Sequence, residues 1–578
     1  MKGAAWPELT SGTARTLTLL ALAVALALQI VAIHGHSLSG DGSYHLLAGH
    51  QALRYGQNTV NLEHPPLLKL LVALPLAVRD EPIVPPVRVA DALAATDRLH
   101  ADPGRLRSAT VEARYLVLVF VVLPLLGACF VLGRRFGNTA TGIVLALMVA
   151  LSLGILPQLT ILQNDAVVTL AFVLVALAVG RYLEEPGLAN ALRTGAAWGL
   201  GLAVKFSAAL LAPAILVTVL AAPGLVGSWR RRLVHLAAIG LLAWAIVDLA
   251  VLAANREYDH VLGREVIADY CENRGTVIVA DRMTAWEQPL LALEPVDPFL
   301  AQWLTGFLAV RAQNAIAPYA SYAFGEVRSH GRWWYFPAVL LIKTPLAILL
   351  AALLTLVAAR RRLGMPSGRW LPVLVMVAVY GLAAATSNYN LGVRHLLPVL
   401  PFLYLPVARY VAGHRLRSVL LIGWLTIESV ALAPLWMSHT NTWWLGDRNP
   451  TRFALSAGNL EFRQNFVQLA RYAERHGIED LGVLYPTVSN PVVKAYLPDA
   501  HRVRPNETIE PGWYAVNVLV EQFVPALLVA PPGSVYDLDN LRQASERWQP
   551  VWQAIERGED HGYVAGTFHL FRIPETPD

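Results

Sequence analysis

Residues 17–76 read LTLLALAVALALQIVAIHGHSLSGDGSYHLLAGHQALRYGQNTVNLEHPPLLKLLVALPL. The first part, 17–33, approaches the ~20 apolar residues that cross a bilayer as a helix. It lacks a small-residue cleavage site and more apolar runs follow it, so an uncleaved transmembrane helix is expected, not a removed signal peptide. The stretch then turns polar and brings Asp41, Glu63, His64 and Lys69 to a membrane surface. Carboxylates beside hydrocarbon are costly and are expected to face water, a counter-ion or a ligand. A solvated loop broken by Pro65-Pro66 is the plain alternative, and the rest of the chain has to decide between them.

The remainder is equally apolar. The 578 residues are 55% hydrophobic and 15% charged, with a mean hydropathy of +0.46. Those values exclude an ordinary soluble globule and imply a polytopic α-helical membrane protein. Apolar stretches at 16–34, 113–132, 138–156, 164–180, 188–204, 206–222, 233–254, 336–358, 370–386, 395–412 and 418–437 predict about eleven transmembrane helices. With a cytoplasmic N-terminus, Arg134, Arg135, Arg181, Arg230 to Arg232, Arg360 to Arg362, Arg415 and Arg417 all fall inside, as the positive-inside rule asks. Outside are then the loops 35–112 and 255–335, a short loop near 157–163, and the C-terminus.

The membrane domain is thus expected over 1–437 and a soluble extracytoplasmic domain over 438–578. In the latter, LGVLYP (481–486), WYAVNVLV (513–520) and FHLFRI (568–573) read as strands and 466–476 as a helix, giving a small α/β or α+β fold. Cys129 falls in a span and Cys271 in a loop, which supplies neither a disulfide framework nor a thiolate metal site. The formal charge of +5 is small for the length. Membrane lipids are expected partners, nucleic acid is not, and oligomeric state leaves no mark on the sequence.

Polar groups recur at the outer ends of the spans. Asp165 lies in LPQLTILQNDAVVTLAF (156–172), Lys205 in GLGLAVKFSAALLAP (199–213), Arg332 and Lys343 in GRWWYFPAVLLIKTPL (331–346), and Asn388, Asn390, Arg394 and His395 in SNYNLGVRHLLPVLP (387–401). Each has a plain role open to it. Lys205 and Lys343 can snorkel and Arg394 can bind lipid phosphate; Asp165 can cap a helix. The run Trp333 to Phe336 suits an interfacial aromatic belt or stacking on a sugar. His34, His36, His45 and His50 lack the i,i+4 setting with a carboxylate that marks a zinc site.

Taken in order, these strings resemble the GT-C glycosyltransferases of the protein O-mannosyltransferase and aminoarabinose transferase type, which take sugar from a polyprenyl-phosphate carrier. EHPPLLKLL (63–71) is similar to the family's His-Pro-Pro-Leu-x-Lys element, after an acidic loop opening with GDGSYH (40–45). EARYLVLVF (112–120), LAVKFSAALLAP (202–213), YAFGEVRSHGRWWYFPAVLLIKTPL (322–346) and LGVRHLLPVLPFL (391–403) follow in the family's order. The resemblance implies a GT-C membrane fold, a catalytic aspartate in the first outer loop, and a lipid phosphate held by basic side chains at the outer leaflet. Two departures stand out. Where many members have Asp-Glu, Asp41 is followed by Gly42, which moves the second acid's role towards Glu63. Where bacterial relatives carry Asp-Trp-Gly-Gln-Asp after the last span, this chain reads AGNLEFRQNF (457–466).

The resemblance therefore implies sugar transfer from a polyprenyl-phosphate donor to an acceptor hydroxyl or phosphate on a protein, lipid or glycan. Asp41 is expected as general base in an inverting displacement. Glu63 and Asp165 are the further catalytic candidates, and either would be the nucleophile of a retaining path. Lys205, Arg394, His395, Arg114, Lys69 and Lys343 are candidates for the donor phosphate. His64, Tyr335 and Asn388 are candidates for acceptor or sugar contact, and Asp41 with Glu63 for an optional divalent cation (Mg, Mn or Zn). A single sequon, Asn506-Glu507-Thr508, without a eukaryotic retrieval signal, points to a bacterial plasma (inner) membrane. Two other classes stay open: an inactive GT-C-like sugar-binding or scaffold subunit, and a lipid or sugar transporter, whose site is expected nearer the bilayer midplane.

Overall fold

The structure, a computed structural model, describes residues 12–79, 87–222, 228–272, 279–317, 320–360, 368–441, 454–455, 457–530 and 538–575. Helices occupy all eleven apolar stretches. Four of them, Arg15–Gly35, Pro103–Phe136, Asp165–Glu184 and Trp229–Ala254, are long and apolar enough to cross a membrane alone. Large apolar side chains such as Leu241, Leu356 and Ile427 point outward from the helices, the pattern of a chain solvated by lipid. The protein is an integral membrane protein. Arg361 and Arg362, counted among the inner arginines, lie outside the described residues.

Proline chemistry reshapes two spans that the sequence reads as straight. The stretch 336–358 is a pair of helices, Tyr335–Lys343 and Leu346–Arg360, bent by 112°. Thr344 is extended there (φ −81°, ψ 131°), because the residue before Pro345 is pushed out of the helical region. The stretch 113–132 is the later part of a 34-residue helix, Pro103–Phe136. Within it, Leu118–Val122 widens to a π turn just before Pro124, whose missing N–H breaks the regular hydrogen-bond ladder.

The two long loops are more ordered than expected. Residues 35–112 fold into the helices Gly40–Tyr55, Leu67–Val78 and Ala92–His100, then the first turns of Pro103–Phe136. Residues 255–335 hold His260–Cys271, Thr284–Leu293, Pro298–Ile316 and a hairpin of β1 (Ser321–Ala323) and β2 (Glu326–Arg328). Close backbone contact joins the two loops, since a Cβ on Gly306 would lie 1.8 Å from Leu62 O.

The C-terminal region is a mixed five-stranded sheet of β3 (Gly482–Leu484), β4 (His501–Arg502), β5 (Gly512–Asn517), β6 (Glu559–Val564) and β7 (Phe568–Ile573), in the order β4-β3-β5-β7-β6. β3 runs parallel to β4 and β5, whereas β7 is antiparallel to β5 and β6. Alternation along β5 and β7 feeds two cores. Ala515, Phe568 and Leu570 pack with the Phe466–His476 helix. Tyr514, Val516 and Phe571 pack with Val520, Trp548 and Trp552 of the helices Val518–Leu528 and Leu538–Glu556. The strand expected over 513–520 ends at Asn517, whose side chain accepts from Leu519 N at 3.1 Å and starts a helix instead.

Candidate active site

A cavity of about 950 Å³ opens where ends of the membrane helices meet the C-terminal region. Seven of the twelve sequence candidates line it: Asp41, Glu63, His64, Asp165, Lys205, Arg394 and His395. Asp41 sits in the first turn of Gly40–Tyr55, which begins with Ser39 Oγ accepting from Gly42 N at 3.2 Å. A Cβ at Gly42 would lie 2.7 Å from Leu38 Cδ1, 2.9 Å from Ser39 Oγ and 3.3 Å from Leu162 Cβ, so a side chain there requires these neighbours to shift. Glu63 reaches the cavity from the next loop.

Two ion pairs organise the floor. Arg394 Nη1 donates to Asp41 Oδ2 at 2.7 Å and to Gln163 Oε1 at 3.1 Å. Lys205 Nζ donates to Asp165 Oδ1 at 2.6 Å. The pairs differ in access: the Asp41 side chain is 36% exposed, that of Asp165 3%. Only the first carboxylate opens to a reactant. Burial pushes the Asp41 carboxyl up, but Arg394, His45 and Lys205 outweigh it and hold the group below the usual carboxylate range. For Glu63 burial wins and raises the carboxyl, against the hydrogen bond from Gln313 Nε2 at 2.8 Å and the weaker pull of the Lys69 charge. His64 is pushed well down by burial, then by His45 and Lys205, and is a neutral imidazole. Its Nδ1 and His395 Nε2 are buried without a hydrogen-bond partner.

The other five candidates face elsewhere. Arg114 donates to the carbonyls of Ile33 (3.0 Å), His36 (2.6 Å) and Ser37 (2.7 Å), capping the end of the first membrane helix. Lys69 Nζ donates to Asn61 O at 2.5 Å, and Lys343 Nζ to Met437 O at 2.7 Å and to His439 O. Tyr335 OH accepts from Asn459 Nδ2 at 2.8 Å. Asn388 accepts from Gly331 N and donates to Asn314 O. None of the five lines the cavity. Among the described residues, no group of three or more His, Cys, Asp or Glu side chains could hold a metal ion, and no third ligand joins Asp41 and Glu63.

Sequence reasoning missed much of the wall: Tyr44, Arg311, Gln313 and Tyr389 from the outer loops, and Glu461, Phe462, Arg463 and Tyr485 from the C-terminal domain. The cavity holds four carboxylates (Asp41, Glu63, Asp165, Glu461) and four cations (Lys205, Arg311, Arg394, Arg463). Burial raises the carboxyls of both Glu63 and Glu461.

Residues 105–250, about a quarter of the chain, match the family model of the dolichyl-phosphate-mannose-protein mannosyltransferases. No curated protein matches. Among solved structures, the oligosaccharyltransferase of Archaeoglobus fulgidus in its apo form aligns with 90% of this chain over 72% of its own, at 12% identity and a TM-score of 0.42. ArnT from Cupriavidus metallidurans bound to undecaprenyl phosphate aligns with 97% of this chain over 98% of its own, at 13% identity and a TM-score of 0.33. Scores of this size carry no inference by themselves. Over the segment that holds Arg114, Asp165 and Lys205, the chain is similar to the dolichyl-phosphate-mannose-protein mannosyltransferases.

Proposed function

We propose that this protein transfers a sugar from a polyprenyl-phosphate donor to an acceptor hydroxyl or phosphate on the outer side of a plasma (inner) membrane, with its N-terminus in the cytoplasm. The observation that carries this is the Asp41–Arg394 pair, its carboxylate open to a cavity that also holds the cations Lys205, Arg311 and Arg463. The acceptor oxygen attacks C1 of the sugar and gives its proton to Asp41. The C1–O bond to phosphate breaks, and polyprenyl phosphate leaves with the electron pair, its charge met by Arg394 and Lys205. When the donor phosphate shares Arg394, that cation's hold on Asp41 weakens and the carboxyl rises towards a proton-accepting range.

A single displacement with inversion is favoured over a double one. Asp165 is buried and tied to Lys205. Glu63 is raised by burial, which keeps more of it protonated and a poor nucleophile. No step requires a divalent cation.

The test is release of polyprenyl phosphate by purified protein from a panel of polyprenyl-phosphate sugars, with and without acceptors. Acceptor-dependent release by the wild type that Asp41→Asn abolishes, with folding intact, is expected. Release unchanged in Asp41→Asn would remove Asp41 from the mechanism. No release from any donor would favour the scaffold or transporter class.

A further inference from the structure

The segment Gly458–Gln464 is stitched to both loops that carry the ion pair. On one side Asn459 Oδ1 accepts from Val393 N at 2.9 Å, next to Arg394, and Asn459 Nδ2 donates to Tyr335 OH. A Cβ on Gly458 would lie 2.4 Å from Leu391 O and 3.4 Å from Arg394 Nε, so the two backbones pass in contact. On the other side Ser37 Oγ donates to Arg463 O at 2.5 Å and Ser37 N donates to Gln464 O at 2.9 Å, a few residues before Asp41. Inside the segment Glu461 Oε1 accepts from Arg463 N, and Gln464 Oε1 from Phe462 N, each at 2.5 Å. Arg463 takes a positive φ of 66° to complete the turn.

This turn brings the Phe462 ring under Arg394, with the guanidinium carbon over the ring and 4.3 Å from its centroid. A guanidinium donates all its hydrogen bonds in its own plane, so a ring on its face takes none of them and fixes that plane. Asp41 and Gln163 already hold Arg394 along one edge.

We propose that Phe462 is a positioning residue for the donor phosphate: the C-terminal domain lays its ring on Arg394 and so aims the guanidinium edge at the phosphate. The proposal rests on the transferase reading above. The active site is then composite, with the base and the cation on membrane loops and the residue that sets the cation's plane on the C-terminal domain.

The experiment is binding of undecaprenyl phosphate to the full-length protein in detergent, which needs neither a sugar donor nor an acceptor. Phe462→Leu and Phe462→Met, which keep bulk but remove the aromatic face, should weaken binding by about 3- to 30-fold. Phe462→Tyr and Phe462→Trp should restore it, a rescue that a merely space-filling role would not show. In an Arg394→Gln background, Phe462→Leu should cost nothing further. Wild-type affinity in the Leu and Met variants, absent rescue by Tyr and Trp, or an undiminished loss in the Arg394→Gln background would each overturn the proposal alone. A wild-type protein that does not bind undecaprenyl phosphate would overturn the transferase reading, and the proposal with it.

Discussion

Arg394, partly buried, and Arg114, fully buried, both lie near an end of an apolar segment, yet their partners differ in kind. Arg394 meets a carboxylate at the edge of a cavity; Arg114 meets three backbone carbonyls away from it. Lys205 repeats the first pattern with Asp165, while Lys69 and Lys343 repeat the second. A cation paired with a carboxylate beside open space can exchange that partner for a ligand anion. One that caps carbonyls cannot leave without stranding backbone groups. Proximity to the membrane surface therefore says little about which cation binds substrate, and the partner says much.

Arg394→Gln should break the comparison most sharply. Losing one donor to the developing phosphate charge is expected to lower turnover on the order of 10²-fold or more. The unfolding temperature should shift little, because Asp41 is 36% exposed and can turn to water. Steady-state rates measured beside thermal unfolding in detergent check both halves, and a large loss of stability at unchanged turnover would move Arg394 into the structural class.

Arg114→Met and Lys343→Met should show the converse. Each strands buried carbonyls, three for Arg114 and those of Met437 and His439 for Lys343, at a cost of about 1–3 kcal/mol per unsatisfied group. Turnover per folded molecule should stay near that of the wild type. A strong kinetic defect in fully folded Arg114→Met or Lys343→Met would return these residues to the phosphate site.

The spans were legible because continuous apolar runs have few other meanings, and the 112° bend could have been read from Thr344-Pro345. The helix Gly40–Tyr55 was not legible. It is buried nearly all round, including His45, His50 and Gln51, so it shows no single apolar stripe. Among the site residues, Asp41 and Arg394 were found by residue type and by the resemblance, but position at a helix end does not reveal rotation about it. That is why Lys69, Arg114 and Lys343 were grouped with Lys205. Phe462 and Arg463 escaped notice because their partners lie far away in sequence. The one available signal was that AGNLEFRQNF replaces a motif found in relatives.

The smallest effect extends the comparison to the carboxylates. Asp41 has a cation for a partner and its folded pKa is depressed; Glu63 has an amide and its folded pKa is raised from 4.5. Below its unfolded value Glu63 is protonated whether or not the chain is folded. As pH rises above it, the folded chain holds the Glu63 proton more tightly than the unfolded chain does, so stability falls through that window. Asp41 acts with opposite sign: its contribution is present above its unfolded value of 3.8 and is lost as pH falls through the lower folded pKa. Glu63→Gln keeps an acceptor for Gln313 and removes the titration. Between pH 4.5 and 7 the unfolding temperature of Glu63→Gln should therefore rise relative to the wild type, by a few degrees at most. Asp41→Asn should fall relative to the wild type between its folded pKa and about pH 4. Parallel curves for Glu63→Gln and the wild type would mean that Glu63 ionises in the folded protein as freely as in water, and that an amide serves a buried carboxylate here as well as a guanidinium does.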